Sequence, residues 1–478
     1  GITMNTITRI SILIAAVSVA VFALNDKSDV AVPGVVHTSS VDANAVSPVA
    51  SLATVKIAGE NQPSTIGSSS AVYATAGSPD VFASAQTVKS VAADEPRSEQ
   101  ERKERIAQSK MSGPVAALAA VGGPTPTEII VSYADRPDLL EDERIEKLGG
   151  EIVRHYEILE LLAIRIPADA LVELAIEDSV ERVSLDDVVR TSSVASKQAA
   201  KFPAYPSGNT AYSASGVLVA VMDSGVAYHP DLAGSVIQLC FLNGAWPNPE
   251  IDDGAIEDDT DPLVDAFGHG THIAGIIGGS GKYSDGDFFG PARRAEIISL
   301  QVLDENGYGK SSDVMAALEW LMKYGPYLDI GVANLSLGKP ITESNTTDPL
   351  VRAVEQLWDR GVIVTVAAGN FGREGYFSTT SPGNSRKVIT VGSLTDNDTG
   401  NDFSDDYTST YSSKGPTAED HVVKPDLVAP GNRLIAATPT NSTLATLLPG
   451  NKVDCLVATQ CNYNYLELSG TSMATGMV

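Results

Sequence analysis

Basic side chains are scarce. The 478 residues carry 33 Lys and Arg against 60 Asp and Glu, a net charge of −27. A nucleic-acid partner would need a basic face, so that class is excluded, while excess carboxylate suits a soluble exported protein. Cysteine is nearly absent. Cys455 and Cys461 are close enough to clip one small loop as a disulfide, which export would permit, and Cys240 is left over as an expected buried thiol. Long apolar runs are missing too, apart from one near the start. There, Met4–Arg9 ends in a cation, Ile10–Leu24 is almost unbroken apolar sequence, and Val21-Phe22-Ala23 puts small residues at a cleavage site. This is the layout of a secretory signal peptide over residues 4–23. The run is short for a membrane anchor and lacks a stop-transfer pattern. Gly1-Ile2-Thr3 ahead of it reads as a remnant.

The hydrophobic fraction of 43% supports a sizeable core. Residues 24–125 open with a stretch rich in Ala, Ser, Val, Thr and Pro with no sustained period, read as a disordered spacer; the mixed-charge run Glu95–Lys110 within it is a solvated, helix-compatible face. From residue 126 to 192 the pattern changes. Strands are expected at Ile129–Tyr133, Ile152–Tyr156, Leu161–Ile166 and Val180–Leu185, with helices after the first and third. The order βαββαβ predicts a small α+β, ferredoxin-like sandwich. From Gly216, apolar runs at Val217–Met222, Ile297–Val302 and Val362–Ala368 alternate with amphipathic helices around Val314–Leu321 and Leu350–Trp358, the second closed by Gly361. Strands apolar on both faces between helices predict an α/β domain with a doubly wound, mainly parallel sheet, spanning about 196–478. Ligands gather at the carboxyl ends of such strands.

Four residues stand where that edge should lie. Asp223 ends an apolar strand, where an Asp also serves as a turn former. His269 lies in Gly268-His269-Gly270-Thr271-His272, a pattern open to a metal pair with nearby acids or to acid–base chemistry. Asn370 follows Ala367-Ala368-Gly369, and Ser472 sits in Gly470-Thr471-Ser472-Met473 at a helix start; each alone suits a turn or a cap. Together they supply a nucleophile, a base, a group to orient the base and an oxyanion donor.

These motifs resemble those of the subtilisin-like serine peptidases, whose triad runs Asp, His, Ser. The resemblance covers about Gly216 to the end. It implies Asp223, His269 and Ser472 as the triad of a secreted serine endopeptidase and Asn370 as oxyanion donor. Asn334-Leu335-Ser336-Leu337-Gly338 is similar to the family strand that pairs with substrate, so Leu335, Ser336, Leu337 and Gly338 are expected to bind it, with Ala367, Ala368 and Gly369 as another wall. Tyr411–Pro416 and Lys424–Gly431 match further family segments. The sedolisins, which use Glu as base, are disfavoured by Gly-His-Gly-Thr-His. The unit at 126–192 resembles the family's inhibitory propeptide, cut between Arg190 and Lys201. The implied partners are polypeptide substrates and this propeptide, on a monomer. No cofactor is needed for the chemistry; structural calcium is a candidate at Asp258, Asp259, Asp261 and Asp265. Gly476 stands where the family has Pro, and the sequence ends six residues after Ser472, so a C-terminally truncated piece is expected. The alternative class is a catalytically inactive fragment or pseudoprotease acting as a secreted interaction module.

Overall fold

Two faces of one small sheet decide how residues 126–185 sit. The computed structural model describes residues 98–192, 214–232, 236–246, 264–396, 404–453 and 464–478. The signal segment, most of the spacer, Asp258, Asp259, Asp261, Cys455 and Cys461 lie outside the described residues. All described residues belong to one compact unit.

Strands β1 (Pro126–Tyr133), β2 (Glu151–His155), β3 (Leu161–Pro167) and β4 (Val180–Leu185) form an antiparallel sheet in the order β2-β3-β1-β4. Helices Leu139–Lys147 and Leu171–Ala175 fill the two helical places of the βαββαβ order. Side chains alternate across the strands. Ile129, Val131, Leu162, Ile164 and Val183 bury on the side of those helices, while Ile130, Leu161 and Ala163 join the core of the following domain. A sheet that is apolar on both faces cannot stand in water alone, and the second face is covered by the helices of the larger domain.

Order starts earlier than position 126. Helix Glu99–Lys110 is N-capped by Ser98, whose Oγ accepts from Glu101 N, and helix Gly113–Val121 follows. The spacer assignment over 24–125 is therefore corrected from Ser98 onward. Of the apolar residues in this stretch only Ala107, Met111 and Val115 are deeply buried, against the small sheet's core, and so sparse an apolar stripe is masked by the charges between.

Strand β5 (Val188–Thr191) leads into the larger domain. Its strands are β6 (Leu218–Asp223), β7 (Val236–Cys240), β8 (Glu296–Gln301), β9 (Tyr308–Lys310), β10 (Ile330–Leu335), β11 (Leu337–Gly338), β12 (Ile363–Ala367), β13 (Ile389–Thr395), β14 (Tyr407–Thr408), β15 (Leu427–Pro430), β16 (Leu434–Thr438), β17 (Lys452–Val453) and β18 (Asn464–Leu468). The main sheet runs β14-β13-β12-β10-β6-β8-β7, with β15 also on β13; all its pairings are parallel except β13–β14. Helices Ser311–Leu328 and Pro349–Asp359 cover one face, and His269–Gly278 packs on the other. This is the doubly wound α/β architecture that the apolar runs predicted. Cys240 departs from expectation: it is exposed, because β7 is an edge strand and Cys240 is its last residue.

Truncation of a side chain in the small sheet measures how well that core is packed. Leu162→Ala is expected to cost about 2–5 kcal/mol in denaturant unfolding, whereas Leu139→Ala, 78% exposed, should change stability by under about 0.5 kcal/mol. Equal losses would show that the small sheet is not an integral part of the core.

Candidate active site

Register brings the candidate residues to one edge. Leu335 of β10 pairs with Met222 of β6 and with Val366 of β12, so three neighbouring strands end level. Asp223, Ser336 and Ala367 come next in sequence, and Asn370 stands three residues past the end of β12. Thr471 and Ser472 open the helix Thr471–Met477, whose Ala474 packs against Val391 and Ala429 of the same sheet.

Asp223 and His269 are both buried, and imidazole Nδ1 lies 2.8 and 2.9 Å from the two carboxylate oxygens. A carboxylate only accepts, so Nδ1 carries a proton toward Asp223 and Nε2 is the ring nitrogen that this pair leaves open. The pair is held by Asp265, which binds both segments. Its carboxylate accepts from Ser224 Oγ (2.8 Å), Gly268 N (2.7 Å), Thr271 N (2.8 Å) and Thr271 Oγ1 (2.7 Å). Ser224 Oγ in turn accepts from Gly270 N, and Thr271 Oγ1 from Ala227 N, so both hydroxyl protons are committed to Asp265. Burial pushes the Asp265 carboxyl up to about 6, and the four donors pull against it. Gly270 has to be glycine, since a Cβ there would collide with Gly225 O and press on Asp223. The turn tying the His269 helix to the end of β6 is thus built from small residues around one buried acid.

That network bears on the calcium assignment. Asp265 is 3% exposed with both oxygens taken by protein donors, so it does not face a cation. Among the described residues no group of three or more His, Cys, Asp or Glu is placed to hold a metal. The remaining three candidate acids lie outside them.

Ser472 is fully buried. Its Oγ donates to Ser336 O (3.0 Å), and Ser336 Oγ donates to Ser472 O (3.0 Å). No hydrogen bond joins Ser472 Oγ to His269. Asn370 Oδ1 accepts from Thr471 N (3.0 Å) and Thr471 Oγ1 (3.2 Å), which fixes the amide and turns Nδ2 the other way. His269 Nε2 and Asn370 Nδ2 are buried without a hydrogen bond among the described residues. Ala367, Ala368 and Gly369 lie buried next to Asn370, and Gly369 N donates to Thr471 Oγ1.

The site is already filled by the chain itself. β5 lies between β11 and β9, antiparallel to both: Thr191 pairs with Leu337, Arg190 with Gly338 and Tyr308, and Val189 with Gly309. Past its end, Ser192 N donates to Ser336 O (3.3 Å) and to Ser472 Oγ (3.1 Å), and Ser472 N donates to Ser192 O (3.2 Å). A cavity of about 380 Å³ adjoins Ser192, with Gly338, Asn370, Phe371 and Thr380 in its wall. Of the expected substrate strand, Leu337 and Gly338 pair with β5 and Ser336 contributes its carbonyl, while Leu335 ends the sheet strand beneath. The second flank, Tyr308–Lys310, was missed. Its only signal was Gly307 and Gly309 around Tyr308 just before a helix, a spacing that also suits an ordinary turn.

His272 lies one helical turn past His269 and points away from the site. Its Nε2 donates to Leu466 O (2.9 Å), and burial pushes it down to about 3. The metal-pair reading of the two histidines therefore falls. The unfolded chain binds a proton at an ordinary His near 6.5 that folded His272 refuses. Its contribution is thus full above about pH 6.5 and lost as pH falls toward 3, at up to about 1.4 kcal/mol per pH unit. The stability gap between wild type and His272→Gln should accordingly narrow from pH 7.5 to pH 4.5 in thermal unfolding. A gap independent of pH would show that His272 takes up its proton alike in the folded and the unfolded chain.

Comparison with known proteins bears on the family and the fold. Serine protease AprX of Bacillus subtilis (strain 168) is 38% identical over 265 residues, 54% of each chain, so the chain spans about half of that relative's length. An alkaline protease of Alkalihalobacillus alcalophilus is 27% identical over 348 residues, covering 72% of this chain and 73% of its own. In structure, fervidolysin from Fervidobacterium pennivorans, described as a keratinolytic enzyme related to subtilisin, superposes with a TM-score of 0.54 at 21% identity, covering 74% of this chain and 53% of that one, which bears on the fold alone. Residues 214–478, more than half of the chain, match the model of the subtilase family, and the chain belongs to that family.

Proposed function

We propose that the chain is the precursor of an exported serine endopeptidase that cuts itself between Ser192 and Ser193 and then hydrolyses other polypeptides. One observation carries this reading: the Ser192 carbonyl rests on the Ser472 N–H while β5 is paired on both edges. An extended segment hydrogen-bonded on both sides, its carbonyl on a backbone donor at a helix start, is how a protease holds a substrate.

In this reading the Ser472 hydroxyl leaves Ser336 O, turns to His269 Nε2 and attacks the Ser192 carbonyl carbon as its proton passes to the imidazole. Asp223 holds the ring and stabilises its cationic form. The oxyanion is received by Ser472 N–H and Asn370 Nδ2. The C–N bond to Ser193 then breaks, His269 gives its proton to the leaving amine, and the Ser192 acyl group stays on Ser472 Oγ. Water, activated by the imidazole, releases it as a carboxylate. Residues up to Ser192 would remain as an inhibitor in the groove, held by the second face of the small sheet and by ion pairs such as Arg182–Glu343 (3.0 Å). Export rests on the signal-like residues 4–23.

Two variants test this. The wild-type chain should yield a fragment whose N-terminus is Ser193 and should label with a fluorophosphonate probe, and Ser472→Ala should do neither. An uncut, unlabelled wild type would favour the inactive interaction module. Val189, fully buried in the domain core, sits three residues before Ser192. Val189→Asp would bury a carboxylate there and should slow self-cleavage by about 100-fold in a time course of processing.

A further inference from the structure

Recognition of the extended segment does not stop at β5. Counting Ser192 as the first position and moving back along the chain, Asp187 is the sixth. Lys339, which directly follows Gly338 of β11, places Nζ 3.2 Å from Asp187 Oδ2 and 3.3 Å from Asp348 Oδ2. Its side chain is 2% exposed. The backbone at the same position is gripped as well: Ser311 N (2.9 Å) and Ser311 Oγ (3.0 Å) both donate to Asp187 O. Asp348 belongs to the domain permanently. It is fully buried, caps the helix Pro349–Asp359 through Leu350 N (2.9 Å) and accepts from Ser381 Oγ (2.7 Å).

A buried ammonium has three protons to satisfy, and an ion pair taken out of water is stable only when its remaining hydrogen bonds are made. Asp348 answers one side of Lys339; Asp187 answers another, and it comes from the segment that self-cleavage would sever from the domain. The other charges facing this cluster are Glu343, which acts on Lys339 and is itself paired with Arg182. On a chain with a net charge of −27, acidic peptides meet repulsion almost everywhere, so a buried cation beside the groove is a local exception.

Building on the endopeptidase reading, we propose that Lys339 is a specificity-determining residue that selects an acidic side chain at the sixth position before the bond cut in polypeptide substrates. Ser311 fixes the backbone of that residue, so the subsite reads side chain and main chain together, and recognition ahead of the cut extends over six residues.

Two coumarin amides test this with the processed wild-type enzyme freed of its severed N-terminal segment, one carrying Asp-Val-Val-Arg-Thr-Ser and the other the same peptide with Asn first. The Asp peptide should have kcat/KM higher by about tenfold, mainly through a lower KM, as expected for a hydrogen bond to a charged partner. In Lys339→Met the preference should vanish or reverse, since Asp348 and Glu343 then face the peptide alone; in Lys339→Arg, which keeps the charge, it should persist. Because the wild-type comparison needs no variant to fold, it decides alone. Equal kcat/KM for the two peptides overturns the subsite and leaves the endopeptidase reading standing. No cleavage of either, together with no probe labelling, removes both.

Discussion

Three parallel strands ending level are the constraint on which the rest depends. Because Met222, Leu335 and Val366 share one row, the chain leaves the sheet at Asp223, Ser336 and Ala367 within one edge, where the candidate residues gather. The helix bearing His269 is pinned to that edge by Asp265, and the helix bearing Ser472 by Asn370 and Ser336. Chemistry at such an edge is positioned by backbone that is itself hydrogen-bonded into the sheet, so the groups need little reorganisation to act.

Burial does the second part of the work. Asp223, Asp265, His269 and His272 are all almost wholly out of water, yet each has a different electrostatic situation. Asp265 takes four donors and shares none with a cation, His272 is kept neutral by desolvation, and Asp223 and His269 answer each other. One short helix therefore holds two histidines in different surroundings, because one ring meets a carboxylate and the other a carbonyl. The same logic extends to Lys339, whose charge is tolerated inside only through the acids around it.

The small antiparallel sheet is bound to the larger domain by more than its last strand. Its second face shares a core with the helices Ser311–Leu328 and Pro349–Asp359, Tyr156 Oη donates to Ser312 O (2.9 Å), and Asp186 accepts from Ser312 N (2.9 Å) and Oγ (2.7 Å) at the start of the first of those helices. A carboxylate at a helix start answers N–H groups that the helix cannot satisfy itself. Docking of the sheet thus orients β5, and β5 carries Ser192 to Ser472.

Local pattern was enough for much of this. Alternation and apolar runs place the four strands of the small sheet and three strands of the main sheet to within about three residues, since a two-residue period or an unbroken apolar stretch is a property of neighbours in sequence. The small glycine-flanked motifs around His269, Asn370 and Ser472 were legible for the same reason: close approach demands small residues wherever the partner comes from. Other features depend on partners far along the chain. That Asp265 is an internal brace and not a surface acid, that His272 turns to Leu466, that Cys240 sits on an open edge, and that residues 98–121 are ordered all follow from what packs against them. Composition pointed to a calcium ligand at Asp265, a buried thiol at Cys240 and a spacer over residues 98–121, because it counts residue types without seeing what they meet. The second flank at Tyr308–Lys310 and the seat of Ser192 needed the tertiary structure most of all, since a strand edge becomes a binding edge only when another segment lies beside it.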